Sequence, residues 1–152
     1  DRDWSSDVCS SDLNKYPVRY RDYTLRQLCQ EMHDLYVSFD VKDLQKAMFR
    51  QQSFPSVVMN PQDAHSAYIR GDVELVRIRD AEGRIAAEGA LPYTPGVLCV
   101  VPGEVWGGAV QRYFLALEEG VNLLPGFSPE LQGVYSETDA DGMKRLYGYV
   151  LK

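Results

Sequence analysis

The hydrophobic repeat changes period at Gly71, and this limits the chain to folds in which helices come first and strands follow. Upstream, Leu25, Leu28, Cys29, Met32, Leu35, Tyr36 and Phe39 recur at the spacing of one helical face, with Arg26, Gln30, Glu31 and Asp34 opposite. Thr24 and Gln27 have the spacing of a capping box at its start. A second helix is predicted after Asp40, with Val41, Leu44 and Met48 inward. Asn60-Pro61 reads as an N-cap and first-position proline of a third, which Gly71 ends.

Downstream the pattern becomes that of strands. Val73 to Arg79 is rich in β-branched and aliphatic residues, Asp80 to Gly83 is a turn signal, and Ile85 to Leu91 continues extended, so a hairpin is predicted. Val97 to Val101 is an apolar run between two proline-glycine corners, as expected of a strand buried on both faces. Helical spacing returns from Val105 to Glu119, with Gly120 as the stop. A second hairpin is predicted from Gly133 to Ser136, a turn at Asp139 to Gly142, and Met143 to Leu151. Helices followed by mixed strands with one helix among them define an α+β fold with a small mixed or antiparallel sheet.

The first thirteen residues stand apart. They hold no apolar periodicity, and Asp3 to Leu13, DWSSDVCSSDL, is what a common short-read sequencing adaptor encodes in one frame. The expectation is a disordered, non-native tail over 1–13 and one domain over 14–152, the reading frame continuing upstream of Asn14.

Charge and composition exclude several classes. The net charge of −6 offers no footprint for nucleic acid. No apolar run reaches the ~20 residues of a membrane-spanning helix. Cys9, Cys29 and Cys99 are too few and too scattered for a disulfide framework or a metal site, which points to a reducing, cytoplasmic setting. Cys29 and Cys99 are expected as small buried residues. His33 and His65 are expected to be structural, and no nucleophile with an adjacent base can be assembled. Gly107-Gly108 at a helix start is weak evidence for an anion site.

The segment Glu88 to Trp106, EGALPYTPGVLCVVPGEVW, is the most distinctive. Proline fixes φ and glycine admits unusual backbone angles, so Pro95-Gly96 and Pro102-Gly103 should each hold a loop in one conformation. A stiff frame carrying Glu88, Tyr93 and Glu104 suits the rim of a binding site, although the same corners could merely turn the chain.

This segment resembles the C-terminal domain of the bacterial ornithine/lysine/arginine decarboxylases, which carries a P-Y-P-P-G loop, a short apolar strand and a P-G-E corner. Here these stand as Pro92-Tyr93-Thr94-Pro95-Gly96, Val97 to Val101, and Pro102-Gly103-Glu104; Thr94 replaces the usual proline, so the loop should be less rigid. The resemblance runs from about Tyr16 to Lys152 and is greatest to the ornithine branch, through LRQLCQEMHDLY, EGALPY and LLPGFSPELQGVY. It implies part of a pyridoxal-phosphate-dependent lyase that converts ornithine to putrescine and carbon dioxide. It places the cofactor lysine and its neighbours in a preceding large domain, so no catalytic or cofactor-binding residue is assigned here. It implies packing against that domain, a homo-oligomeric whole enzyme with a small-molecule substrate, and a substrate channel lined by Glu88, Tyr93, Thr94, Pro95, Gly96 and Glu104. Two alternatives stay open: a stand-alone, non-catalytic interaction module, or the corresponding domain of a lysine or arginine decarboxylase.

Overall fold

A computed structural model describes residues 15–93 and 96–152; the tail over 1–13 therefore lies outside the described residues. The helices are α1 (Pro17–Tyr20), α2 (Leu25–Ser38), α3 (Val41–Met48), α4 (Pro61–Arg70) and α5 (Gly108–Leu123). The strands are β1 (Val73–Arg77), β2 (Leu91–Tyr93), β3 (Glu130–Gln132), β4 (Tyr135–Thr138) and β5 (Lys144–Leu151). This is the expected α+β fold.

The locally coded helix ends form as read. Thr24 accepts the Gln27 amide at 3.3 Å and Gln27 Oε1 accepts the Thr24 amide at 2.8 Å, closing the capping box of α2. Asn60 accepts the Gln62 amide at 2.9 Å ahead of Pro61, and Gly71 closes α4 in the left-handed conformation.

β5 lies at the centre of an antiparallel sheet ordered β1-β5-β4, and β2 pairs separately with β3. Alternation along β5 sends Leu146, Gly148 and Val150 to one face, where Ile78, Trp106 and Phe114 complete the main core with α5. Tyr149 and Leu151 point to the other face, against Ala64, Ala67 and Tyr68 of α4. The sheet is thus sandwiched between α4 and α5, and α3 packs along α5 through Val41, Leu44, Ala47 and Met48. A buried carboxylate joins α5 to β5: Glu118 Oε2 accepts the Leu146 amide at 2.6 Å, and Arg145 lies 3.9 Å from its other oxygen. Arg145 also donates to Asp139 Oδ2 at 2.8 Å, tying this link to the β4–β5 turn.

Four expectations are corrected. β1 pairs with β5, Val73 opposite Leu151, whereas the expected partner Ile85 to Leu91 makes single bridges from Ile85, Ala86 and Ala90 to three different segments. Its small side chains, Ala86, Ala87 and Ala90, are squeezed into the core where a ladder of larger residues would not fit. Val97 to Val101 is no strand buried on both faces: Cys99 and Val100 are buried, Val97 and Leu98 are exposed, and only Val100 bridges, to Ala90. Two corners so close together leave no length for a ladder. The last helix begins at Gly108, because Val105 is held extended by Ser56 and Ile85, and it runs through Gly120 to Leu123. A Cβ on Gly120 would lie 2.9 Å from the Phe127 ring, so this glycine serves close packing rather than termination. Cys29 is exposed, since only Leu35 of the α2 stripe is fully covered.

Candidate functional site

The frame from Glu88 to Trp106 is clamped at both ends by backbone hydrogen bonds. At its far corner, Gly103 donates to Ala86 O at 2.8 Å and accepts from Val58 and Met59 at 3.0 and 3.1 Å. A Cβ on Gly103 would sit 2.3 Å from Met59 O, so only glycine admits this approach. Glu104 closes the corner on itself: its Oε2 accepts the Val101 amide at 2.7 Å, and its amide donates to Val101 O at 3.0 Å. At the near corner Gly96 donates to Pro92 O at 3.3 Å and lies under the Tyr93 ring. Ala90 holds the middle, exchanging bonds of 3.0 and 2.9 Å with Val100 and Cys99.

Glu88 is presented differently. Gly133 crosses Gly89 so closely that a Cβ on Gly133 would meet Gly89 O at 2.0 Å. That crossing brings Tyr135, the first residue of β4, beside Glu88, and the phenol donates to Glu88 Oε2 at 2.8 Å. The hydrogen bond to the carboxylate, with burial adding to it, raises the Tyr135 pKa, so the phenol stays protonated at neutral pH. Tyr149 packs edge-to-face with Tyr135 at 5.5 Å between centroids and with Tyr68 at 5.3 Å.

Of the six residues expected at one rim, Tyr93 and Gly96 are brought together, Glu104 is engaged in its own corner, and Glu88 faces the tyrosines of α4, β4 and β5. Thr94 and Pro95 lie outside the described residues. A cavity of about 410 Å³ opens beside Pro92, over Met48, Phe49, Val97, Cys99 and Tyr113, with Lys42 and Lys46 also lining it. Burial pushes the Cys99 thiol up to about 11, so it is no nucleophile at neutral pH. Sequence reasoning missed this cavity and all three tyrosines; the alternation of Tyr147 and Tyr149 along β5 was the available signal. His33 and His65 are both exposed, and no cluster of three or more metal-ligating side chains occurs among the described residues.

The sandwiched sheet and the corner-clamped frame define the domain class. Residues 42–152 match the family described as Orn/Lys/Arg decarboxylase, C-terminal domain, and the chain belongs to that family. It is 95% identical over 146 residues to the constitutive ornithine decarboxylase of Escherichia coli K12, a match that covers 96% of the chain and 20% of that protein. The inducible ornithine decarboxylase of the same strain is 68% identical, with 97% of this chain and 20% of that one covered. Among solved structures, E. coli constitutive lysine decarboxylase superposes with a TM-score of 0.79 at 29% identity, over 97% of this chain and 20% of that one. The chain therefore spans about one fifth of the length of the relatives it matches.

Pyridoxal phosphate, which the family implies, was tested against the residues present. Its site needs a lysine for the imine and a polar cradle for ring and phosphate. Every described lysine, Lys15, Lys42, Lys46, Lys144 and Lys152, is exposed, so this chain does not by itself fit the cofactor.

Proposed function

We propose that this chain, over residues 14–152, is the C-terminal domain of an ornithine decarboxylase that forms putrescine and carbon dioxide from L-ornithine. The identity of 95% over 146 residues to the E. coli constitutive enzyme carries the reading. Lysine decarboxylases fit less well: that of Hafnia alvei is 32% identical over 133 residues. Pyridoxal phosphate belongs in this reading to the enzyme's remaining part, where it supplies the electron sink for decarboxylation. The setting is cytoplasmic, and the whole enzyme is a homo-oligomer.

The domain's own work is to cover and shape. The half-buried apolar cavity beside Pro92, continued by exposed Phe49, Tyr93, Val97 and Leu98, is the face we assign to the large domain. In this reading Glu88, Tyr93, Thr94, Pro95, Gly96 and Glu104 line the route to the active site, where a carboxylate draws in the cationic end of the substrate.

A chimera tests this: residues 42–152 replace the corresponding part of the E. coli constitutive enzyme, and putrescine release is measured. Activity within about twofold of the parent is expected. A soluble chimera with no activity would refute the reading.

A further inference from the structure

We propose that Glu88, Tyr68, Tyr135 and Tyr149 form a binding site for an alkylammonium group; the choice of a diamine as its ligand rests on the decarboxylase reading above. The four residues come from the loop before β2, from α4, from β4 and from β5. Tyr135 donates a hydrogen bond to Glu88 Oε2 at 2.8 Å, and among the described residues no donor is bonded to the second carboxylate oxygen. A phenol that donates to a carboxylate becomes a better acceptor through its own lone pairs. Tyr68 joins the cluster through its ring, 5.3 Å from that of Tyr149. Mutual edge-to-face packing on Tyr149, at interplanar angles of 86° and 81°, fixes the rings around these oxygens.

The chemistry of this cluster selects a cation with N–H donors. A primary ammonium carries three donors and no acceptor, and aromatic faces within ~6 Å attract it further. The neighbouring cations are engaged elsewhere: Arg70 with Asp72 at 2.9 Å, Arg84 with Glu74 and Leu151 O, and Lys152 with Gly71 O at 3.5 Å. Arg77 lies opposite Tyr147 in the β1–β5 register, and its Nε is buried without a hydrogen-bond partner among the described residues. Tyr135 remains exposed, so the cluster is open to solvent.

Putrescine and its uncharged analogue 1,4-butanediol, titrated into the 152-residue chain with ring-labelled tyrosine and followed by NMR, provide the test. Saturable shifts of the Tyr68, Tyr135 and Tyr149 rings are expected with the diamine alone. Glu88→Gln should weaken binding about tenfold, the effect of losing one charge-assisted hydrogen bond. Glu137→Gln, an equal charge change at an exposed position of β4, should leave binding unchanged. If Glu88→Gln does not fold, Tyr135→Phe replaces it and should bind several-fold more weakly. The absence of saturable ring shifts, an equal response to the diol, or wild-type binding by Glu88→Gln would each overturn the proposal. The KM for ornithine of the full-length enzyme carrying Glu88→Gln then separates two sources of the ammonium. A raised KM assigns the site to incoming substrate. An unchanged KM, with putrescine binding intact in the chain, assigns it to free diamine and removes Glu88 from the channel without touching the site.

Discussion

Alanine at Gly133 and at Gly142 makes a matched pair that tests whether the Gly89–Gly133 crossing holds the molecule together. Both glycines sit at positive φ, +71° and +78°, so the backbone strain of an L residue is nearly the same in each. That strain is about 1–2 kcal/mol. At Gly142 nothing lies within 4 Å of the added Cβ, and strain is the whole effect. At Gly133 the Cβ would stand 2.0 Å from Gly89 O, a backbone atom that cannot swing aside. Overpacking of this kind costs a further ~1–3 kcal/mol, so Gly133→Ala should lose about 2–5 kcal/mol in all. The two crossing segments must also part at the point that brings Tyr135 to Glu88, and the 2.8 Å hydrogen bond between those side chains should break. Urea unfolding followed by circular dichroism gives both stabilities, and the Tyr135 ring resonance reports the lost contact. Equal destabilisation of the two variants, within about 0.5 kcal/mol, would refute the reasoning.

Three further outcomes are expected. Glu118→Ala orphans the buried Leu146 amide and leaves Arg145 without its second carboxylate, which should cost about 2–3 kcal/mol in the same urea assay; Glu118→Gln should recover much of it. Asp139 is held below its ordinary value of 3.8, first by the Met143 amide and then by Arg145. Its contribution is therefore complete above that value and fades as pH falls through the folded pKa; Asp139→Asn should flatten acid unfolding below about pH 4 relative to wild type. Iodoacetamide at pH 7.5 should label exposed Cys29 well before Cys99, whose thiol is buried and shifted to about 11; peptide mapping that found Cys99 modified first would contradict this.

What could be read from the chain alone was what neighbours in sequence decide. The capping box at Thr24, the Asn60-Pro61 start, the Gly71 stop and the turn at Asp139 to Gly142 each depend on residues within a few positions of one another. The pairing of β1 was misassigned because the nearer strand-like segment is an alanine-rich core filler, and the true partner, Lys144 to Leu151, is far away along the chain. Gly120 was misread for a related reason: a helix stop and a close contact with Phe127 both require glycine, and only the packing tells them apart. Glu88 was legible as a candidate from its place beside a stiff frame. Its phenol partner was not, because Tyr135 is 47 residues away and reaches it only through the Gly89–Gly133 crossing.

The position of β5 has a consequence for how the molecule is made. It is the last strand in chain order and the middle strand of the sheet, so neither β1 nor β4 has its ladder partner until β5 has been synthesised. Val73 meets Leu151, a separation of 78 positions that places the closing step among slow, high-contact-order events. During vectorial synthesis β1 leaves the ribosome as an unpaired edge carrying Val73, Leu75 and Val76, a template for pairing with other nascent chains. A premature stop anywhere before Lys144 would release that edge permanently, which makes truncated products of this chain candidates for aggregation and for rapid clearance by cellular proteases.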